Sequence, residues 1–227
     1  MVNTVGSYET KYWHRKWIPI KNSLHLSQKQ RSVITGSLLG DGTMRVGKGA
    51  RNANFKIEHG IEQKEYVEWK YRILAPLVYT VPKLSYRYTE DRKKYPKSWW
   101  FRTIRHPIFT EIYHRFYLKD GYRNGRKIIP ASIYQELDPM ALAIWIMDDG
   151  SYQKGRVDIS TYSFSIEDIN LLRKCMERKF HVAMNFFNDR GKGYRMYANK
   201  KESEKLVQII RPYVISCLKY KIGLITP

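Results

Sequence analysis

Apolar and polar residues alternate along the chain in a pattern that predicts helices separated by pairs of strands. The first helix is predicted to run from the S-x-x-Q capping box that begins at Ser27 to Gly42. Two alternating stretches flank Gly47, which is typical of a β-hairpin. Helical spacing over residues 61–76, a second alternating pair and a third helix over residues 107–118 complete the order helix, hairpin, helix, hairpin, helix.

The same order returns in the second part of the chain. Asp138 and Pro139 form an N-cap and first-turn pair for an apolar helix, and a hairpin, a helix, a hairpin and a helix follow it. Asp41 and Asp149, near the ends of the two apolar helices, are 108 positions apart, which is the size of a small domain. The pattern predicts an α+β fold made by duplication of an αββαββα half. The expected parts are an N-terminal arm at 1–26, a first half at 27–130 and a second half at 131–227.

The two apolar helices also carry a pattern for packing against each other. Gly36 and Gly40 are four positions apart, so they leave one helix face without side chains and allow close approach of a partner. The matching positions of the other helix are Ile144 and Asp148. We therefore expect a parallel but not perfectly symmetric helix pair whose C-terminal ends meet.

The net charge indicates the kind of partner. The chain has 41 Lys and Arg against 21 Asp and Glu, a formal charge of +20, which favours a polyanion such as nucleic acid. The basic residues are spread along the chain, and the apolar run over residues 140–147 is too short to span a bilayer, so no membrane partner is expected. Two isolated cysteines and no secretory signal predict an intracellular protein in a DNA-containing compartment, a prokaryotic cytoplasm or an organelle.

Three aspartates interrupt this excess of positive charge where the two helices are predicted to end. Asp41, Asp148 and Asp149 would join the negative ends of two helix dipoles, which is unfavourable unless hard divalent cations bind there. Such cations would link the carboxylates to DNA phosphates. A helix end with an Asx turn is the alternative for either Asp-Gly pair alone, but two pairs at the repeat distance favour a metal site.

These segments resemble a known family. "ITGSLLGDG" (34–42) and "LAIWIMDDG" (142–150) resemble the two LAGLIDADG signatures of single-chain homing endonucleases, and the resemblance extends over residues 27–223. It implies a monomer with two pseudo-twofold LAGLIDADG halves, whose antiparallel sheets form a DNA-binding saddle. The implied activity is metal-dependent hydrolysis of both strands of a specific double-stranded DNA site, across the minor groove, leaving short 3′ overhangs. Mg²⁺ is the implied cofactor, with Mn²⁺ as a substitute.

The resemblance also implies roles for individual residues. "RKIIP" (126–130) and "RPYVISCLKYKIG" (211–223) look like the segments that carry the basic active-site residue in the omega-intron members of the family. By spacing alone these lysines would be solvated loop charges. The implied catalytic residues are Asp41, Asp149, Lys127 and Lys221, and the implied metal ligands are Asp41, Asp149 and the carbonyls of Gly40 and Asp148.

The sequence departs from the family at the end of the strand before the second helix, where many members have a glutamine that orders water. Glu58 and His59 occupy that region in the first half, and Thr161 and Tyr162 in the second. Glu58 would bind metal or water, or simply cap the strand. His59 is expected to be structural or exposed.

The predicted hairpins would contact DNA, because a β-ribbon fits the major groove and presents alternate residues to the bases. Phe55 and Ile57 in the first half, and Val157 and Ile159 in the second, are expected to point inward. A single bulge would reverse any of these assignments. The expected DNA-binding residues are Arg45, Asn54, Lys56, Glu58, Ser85, Arg87, Trp100, Arg102, Gln153, Arg156, Asp158, Ser160, Asn185, Phe187, Arg195 and Tyr197.

A maturase that binds its host intron RNA on the same fold is the alternative function, because basic hairpins and aromatic residues serve RNA as well as DNA. The presence of both aspartates and both lysines favours cleavage, since RNA binding alone does not require them.

Overall fold

The computed structural model describes residues 23–118 and 125–224. Nearly all of the expected N-terminal arm at 1–26 lies outside the described residues. The helices are α1 (Gln28–Leu39), α2 (Lys64–Leu74), α3 (Pro107–Phe116), α4 (Ile133–Glu136), α5 (Pro139–Asp149), α6 (Ile166–Phe180) and α7 (Lys200–Ile210). The strands are β1 (Thr43–Val46), β2 (Ala53–Gly60), β3 (Lys83–Tyr88), β4 (Lys94–Arg102), β5 (Tyr117–Leu118), β6 (Arg126–Lys127), β7 (Gly150–Gln153), β8 (Arg156–Ser160), β9 (Asn185–Asn188) and β10 (Tyr194–Ala198).

The strands form two antiparallel four-stranded sheets with the same connectivity. The first has the order β1-β2-β4-β3 and the second the order β7-β8-β10-β9, and β5 and β6 form a short separate ladder. With the helices between them, the described residues contain the order αββαββα twice. The predicted α+β duplication is confirmed.

Local sequence signals explain where the two central helices begin. The hydroxyl of Ser27 accepts from the backbone N–H of Gln30, and the Gln30 side chain accepts from the Ser27 N–H, which completes the predicted capping box of α1. Asp138 caps α5 by accepting from the Ala141 N–H at 2.7 Å, with Pro139 in the first turn.

Two predicted helix ends were wrong. Helix α1 ends at Leu39 rather than Gly42, because Gly40 leaves the helical region and the next backbone N–H, that of Asp41, donates to the Asp148 side chain instead of continuing the helix. Helix α3 ends at Phe116 rather than 118, because residues 117–118 pair with residues 126–127 in the ladder of β5 and β6.

The core lies between the sheets and the helices. Alternate strand residues such as Phe55, Ile57, Val157 and Ile159 are completely buried, so the predicted inward faces of β2 and β8 are confirmed. In α5 every side chain over residues 140–148 is buried, as expected for a helix enclosed on all sides. Among the described residues, no helix combines the length and the apolar character that a bilayer span requires.

Helices α1 and α5 pack in parallel with their backbones in close contact. A Cβ atom on Gly36 would lie 2.3 Å from the Ala141 carbonyl oxygen, and one on Gly40 would lie 2.4 Å from the Asp148 Cβ. At the N-terminal ends, Ser32 donates to Asp138 at 2.5 Å. The expected parallel arrangement is confirmed, and it brings the C-terminal ends of both helices to one place.

Candidate active site

The three aspartates at the helix ends have different surroundings. The Asp41 side chain is 47% exposed, whereas that of Asp148 is completely buried. Asp148 accepts from the Tyr66 hydroxyl at 2.6 Å, the Lys70 ammonium at 2.8 Å and the Asp41 backbone N–H at 3.2 Å. Its carboxylate is therefore fully used within the protein.

Asp149, the neighbour of Asp148, is half-buried. Burial, together with the negative charges of Asp41 and Asp148, raises the pKa of Asp149 to about 7. The pKa of Asp41 is instead lowered, chiefly by the hydrogen bond from His59. The site therefore concentrates negative charge that a divalent cation would relieve.

The two lysines expected from the family resemblance lie at this site. Lys127 donates to the Gly40 carbonyl at 2.6 Å, and Lys221 donates to the carbonyls of Met147 and Asp148 at 2.6 and 2.7 Å. Each lysine thus neutralises the negative end of one central helix. Burial lowers the pKa of both ammonium groups, and the nearby aspartates oppose that effect. The carbonyl oxygens expected to bind metal are the acceptors of these bonds.

A buried histidine adjoins the site, and its contacts were not foreseen. His59 Nδ1 lies 3.3 Å from Asp41 Oδ2, and its Nε2 lies 3.1 Å from the Lys70 Nζ. The His59 side chain is 1% exposed, so the expected structural position is what the structure shows. The signals available in the sequence were that His59 shares the inward parity of Phe55 and Ile57, and that Lys70 follows Tyr66 by four positions on the buried stripe of α2.

The ligand-type atoms of Asp41, His59 and Asp148 lie within 4.8 Å of one another. His59 nevertheless does not fit a metal ligand, because Lys70 donates to one ring nitrogen and Asp41 faces the other. The Asp148 carboxylate is equally occupied. The carboxylates that remain free to take a cation are those of Asp41 and Asp149, and both face the same helix ends.

Glu58 lies on the opposite face of β2 from His59. Its carboxylate pairs with Lys56 and accepts from the Ser98 hydroxyl at 2.5 Å. These contacts occupy the Glu58 carboxylate on the outer face of the sheet, and both its binding of metal or water and its capping of the strand stay predictions.

The expected DNA-binding residues of the first half share the outer face of the first sheet. Arg45 pairs with Asn54, and Lys56 pairs with Arg102 across β2 and β4. The Lys56 ammonium lies 5.3 Å from the centre of the Trp100 ring. A one-residue register shift follows Ser85, so that Arg87 pairs with Tyr95.

In the second half the corresponding residues also pair across neighbouring strands. Tyr197 pairs with both Asn185 and Asp158, and the Arg156 guanidinium lies 4.7 Å from the Tyr197 ring centre. The pairs Phe187–Arg195, Arg195–Ser160 and Gln153–Arg156 complete this set. Asp158 is only 5% exposed, because Arg156 binds its carboxylate through two hydrogen bonds of 2.9 Å.

Two α+β halves joined through parallel helices, with acidic helix ends and a lysine on each, define the class of single-chain homing endonucleases. A family model described as the LAGLIDADG DNA endonuclease family matches residues 31–206. The chain therefore belongs to the LAGLIDADG DNA endonuclease family.

Similar proteins carry both of the names that the sequence suggested. The chain is 30% identical over 202 residues to the cytochrome b mRNA maturase bI2 of Debaryomyces hansenii, covering 87% of this chain and 75% of the maturase. It is 29% identical over 211 residues to the DNA endonuclease I-ChuI of Chlamydomonas applanata, covering 88% and 97%. The structure resembles the homing endonuclease I-WcaI bound to its DNA recognition sequence, with a TM-score of 0.79, 23% identity and coverage of 98% and 95%. This last likeness concerns the fold.

Proposed function

We propose that the protein is a site-specific endonuclease that hydrolyses both strands of a double-stranded DNA target. The observation that carries the proposal is the meeting of Asp41 and Asp149 at two paired helix ends, each with a half-buried lysine on the adjoining carbonyls. A protein that only binds nucleic acid has no use for such a concentration of unneutralised carboxylates in a chain of charge +20.

Asp41 and Asp149 would hold the divalent cation, which we propose to be Mg²⁺, with Mn²⁺ as a substitute. Burial, together with the surrounding negative charge, raises the pKa of Asp149, and this fits a group that is ionised when a cation is bound. A bound divalent cation supplies an activated water and stabilises the leaving oxygen. The protein itself holds the two carboxylates in place through the contact between α1 and α5.

Lys127 and Lys221 would act on the phosphates. Their ammonium groups lie at the helix ends, where a cation offsets the charge that develops on a phosphate during hydrolysis. Each lysine is fixed by a carbonyl acceptor at 2.6–2.7 Å, so little reorganisation is needed when DNA binds. The outer faces of the two sheets would bind the DNA on either side of this centre. We propose cutting across the minor groove with short 3′ overhangs, by a monomer located in a DNA-containing compartment.

An intron RNA maturase is the second candidate. The specific observation in its favour is the similarity to the maturase bI2, which is as high as the similarity to I-ChuI. Assistance with splicing would use the sheet surfaces but not the carboxylates. Replacing the aspartates therefore distinguishes the two functions.

The decisive experiment is incubation of the protein with a randomised duplex library and Mg²⁺, followed by sequencing of the cut ends. A single recovered site with a constant overhang supports the endonuclease. Uncut DNA, together with tight binding to a structured intron RNA, would instead support the maturase.

Replacing either carboxylate tests the site itself. Asp41→Asn or Asp149→Asn is expected to reduce double-strand cleavage below detection, because each removes the negative charge that holds the cation. Binding of the target duplex in Ca²⁺, measured by a mobility shift, should persist in both variants. Cleavage at the normal rate by either variant would overturn the assignment.

A further inference from the structure

A buried series of polar contacts connects Asp148, in α5, to the carboxylate of Asp41, which follows α1. Lys70 is completely buried and donates to Asp148 Oδ1 at 2.8 Å and to His59 Nε2 at 3.1 Å. An ammonium has donors and no acceptor, so His59 Nε2 accepts and the ring proton resides on Nδ1. That proton points to Asp41 Oδ2, 3.3 Å from Nδ1.

The surrounding side chains fix the imidazole in one orientation. Tyr66 packs against it with the ring centres 4.8 Å apart, and the Tyr66 hydroxyl is itself held by Asp148 at 2.6 Å. Asp41, in contrast, is about half exposed, so without this donor its side chain would be free to change rotamer. His59 is thus the group that orients the Asp41 carboxylate.

The second half has a different residue at the corresponding position. Thr43 and Ser151 each lie two residues after an aspartate of the site, and they pair with Lys56 and Asp158. The residues three positions after these partners are His59 and Thr161, so these two residues correspond. Thr161 is buried, but its hydroxyl donates to the Tyr194 carbonyl at 2.7 Å. It is therefore bonded away from the site.

Among the residues of the second half that the structure describes, none substitutes for this donor. The offset that relates Ile61 to Ile166 places Cys175 at the position of Lys70. Within residues 23–118 and 125–224, no side chain or backbone group donates a hydrogen bond to the Asp149 carboxylate. The two sides of the site are therefore built differently.

We propose that His59, held by Lys70, is a positioning residue for Asp41 alone, and that the two DNA strands are consequently hydrolysed by unequal centres. This inference rests on the proposed endonuclease function. It concerns the orientation of a carboxylate and gives His59 no contact with DNA or with a cation.

Strand-resolved kinetics test the proposal. The target duplex recovered from the library carries a different fluorophore on each 5′ end, and single-turnover nicking is followed with saturating protein and Mg²⁺. His59→Ala is expected to slow one strand about 10- to 100-fold, the effect of a misplaced group, and to leave the other strand within about twofold. His59→Asn keeps an N–H near the position of Nδ1 and should restore most of the lost rate on the affected strand.

The matched control is Thr161→Val, which removes the corresponding hydroxyl and is expected to keep both strand rates within about twofold of the wild type. Equal slowing of both strands by His59→Ala, or failure of His59→Asn to restore the slow strand, would overturn the positioning role. If the wild-type protein cuts neither strand, the proposed endonuclease function fails instead.

A second measurement does not depend on activity or on any metal. Nitrogen-15 NMR of the metal-free protein labelled at histidine reports which ring nitrogen carries the proton, and the His59 signal is assigned by its loss in His59→Asn. The expected result is a proton on Nδ1 and an Nε2 that accepts a hydrogen bond. A proton on Nε2 would show that Lys70 is not the donor to that atom and would refute the proposal.

Discussion

Asp148 and Asp149 are neighbours in the chain, and the structure gives them separate tasks. Consecutive residues on a helix point in different directions, so Asp148 enters the core and receives three hydrogen bonds, while Asp149 faces the helix ends and receives none from the described part of the chain. The buried carboxylate organises Tyr66 and Lys70, and its neighbour is left available for a cation. An identical pair of side chains thus supplies one structural group and one group for the proposed cation site.

The surroundings of Asp149 predict a pH-dependent stability. Its pKa in the folded protein is raised to about 7 from an ordinary value of 3.8, so the stability contributed by its protonation is present below about pH 4 and is lost as the pH rises through 7. Asp149→Asn should therefore be more stable than the wild type at pH 8, by at most about 4 kcal/mol. At pH 4 the two should be equal.

Urea unfolding in EDTA at a series of pH values measures this difference. A difference that stays constant between pH 4 and 8 would contradict the expected ionisation of Asp149.

The burial of Lys70 beside Asp148 predicts a large loss of stability when Lys70 is replaced. Lys70→Met leaves the Asp148 carboxylate buried without a cation, which is expected to cost about 3–5 kcal/mol of unfolding free energy. Lys64→Met, on the exposed side of the same helix, removes a surface pair with Glu68 at 3.6 Å and a contact of the ammonium 5.0 Å from the Trp99 ring centre, and it should change stability by less than about 1 kcal/mol. Similar losses in the two variants would show that burial does not govern the role of Lys70.

The sequence was sufficient to propose the site aspartates, and resemblance added the two lysines. It was not sufficient for His59 and Lys70, because their partners are distant along the chain: Lys70 meets Asp148 78 positions away. A lone lysine on a helix is ordinarily solvated, and only the packing of α2 against the ends of α1 and α5 gives Lys70 a buried partner.

At the level of whole elements, the contact between α1 and α5 determines the position of the carboxylates. Gly36→Ala would place a methyl group 2.3 Å from the Ala141 carbonyl oxygen, and backbone atoms cannot move away cheaply. We expect a loss of roughly 1–3 kcal/mol of unfolding free energy and a decrease in cleavage rate, because the two helix ends separate.

Gly60→Ala is the matched control for this variant. Gly60 has a φ of −52°, and a Cβ there would meet only the end of the flexible Glu62 side chain at 3.0 Å. Its unfolding free energy, measured with urea, should stay within about 0.5 kcal/mol of the wild type. An equally small loss for Gly36→Ala would show that the helix contact tolerates a side chain.

Period-two alternation was sufficient to predict the buried face of β2, where burial follows that period, but not the burial of Asp158 on the outer face of β8. It was insufficient for the register shift after Ser85 and for the early end of α1. Gly40 and Pro96, which lie at these two places, are residue types common at helix ends and bulges, but they do not determine the last helical residue or the register.

For the whole molecule, the charge of +20 predicts strongly salt-dependent DNA binding. If the two sheet faces contact about 6–10 phosphates, affinity for the target in Ca²⁺ should fall by about 10³–10⁵ between 50 and 200 mM salt. Fluorescence anisotropy with a labelled duplex measures the slope. An unrelated duplex should give weaker binding with a slope of similar size, and a flat response for the target would contradict phosphate binding by these faces.

The duplication was predictable for the whole molecule from the spacing of the two Asp-Gly pairs, because a repeated sequence order repeats its fold. The difference between the two sides of the candidate site was only partly predictable from the sequence. The sequence showed that Ile144 and Asp148 oppose the two glycines, but not that this difference continues into His59 and Thr161.

The contact of α1 with α5 limits how halves can be exchanged between related proteins. Gly36 and Gly40 on α1 accommodate Ile144 and Asp148 on α5, whereas two copies of the second half would oppose Ile144 to Ile144 and aspartate to aspartate. The contact surfaces of the two halves are therefore complementary to each other. An exchange of halves between related proteins should therefore succeed only when the contact surfaces of α1 and α5 are exchanged together.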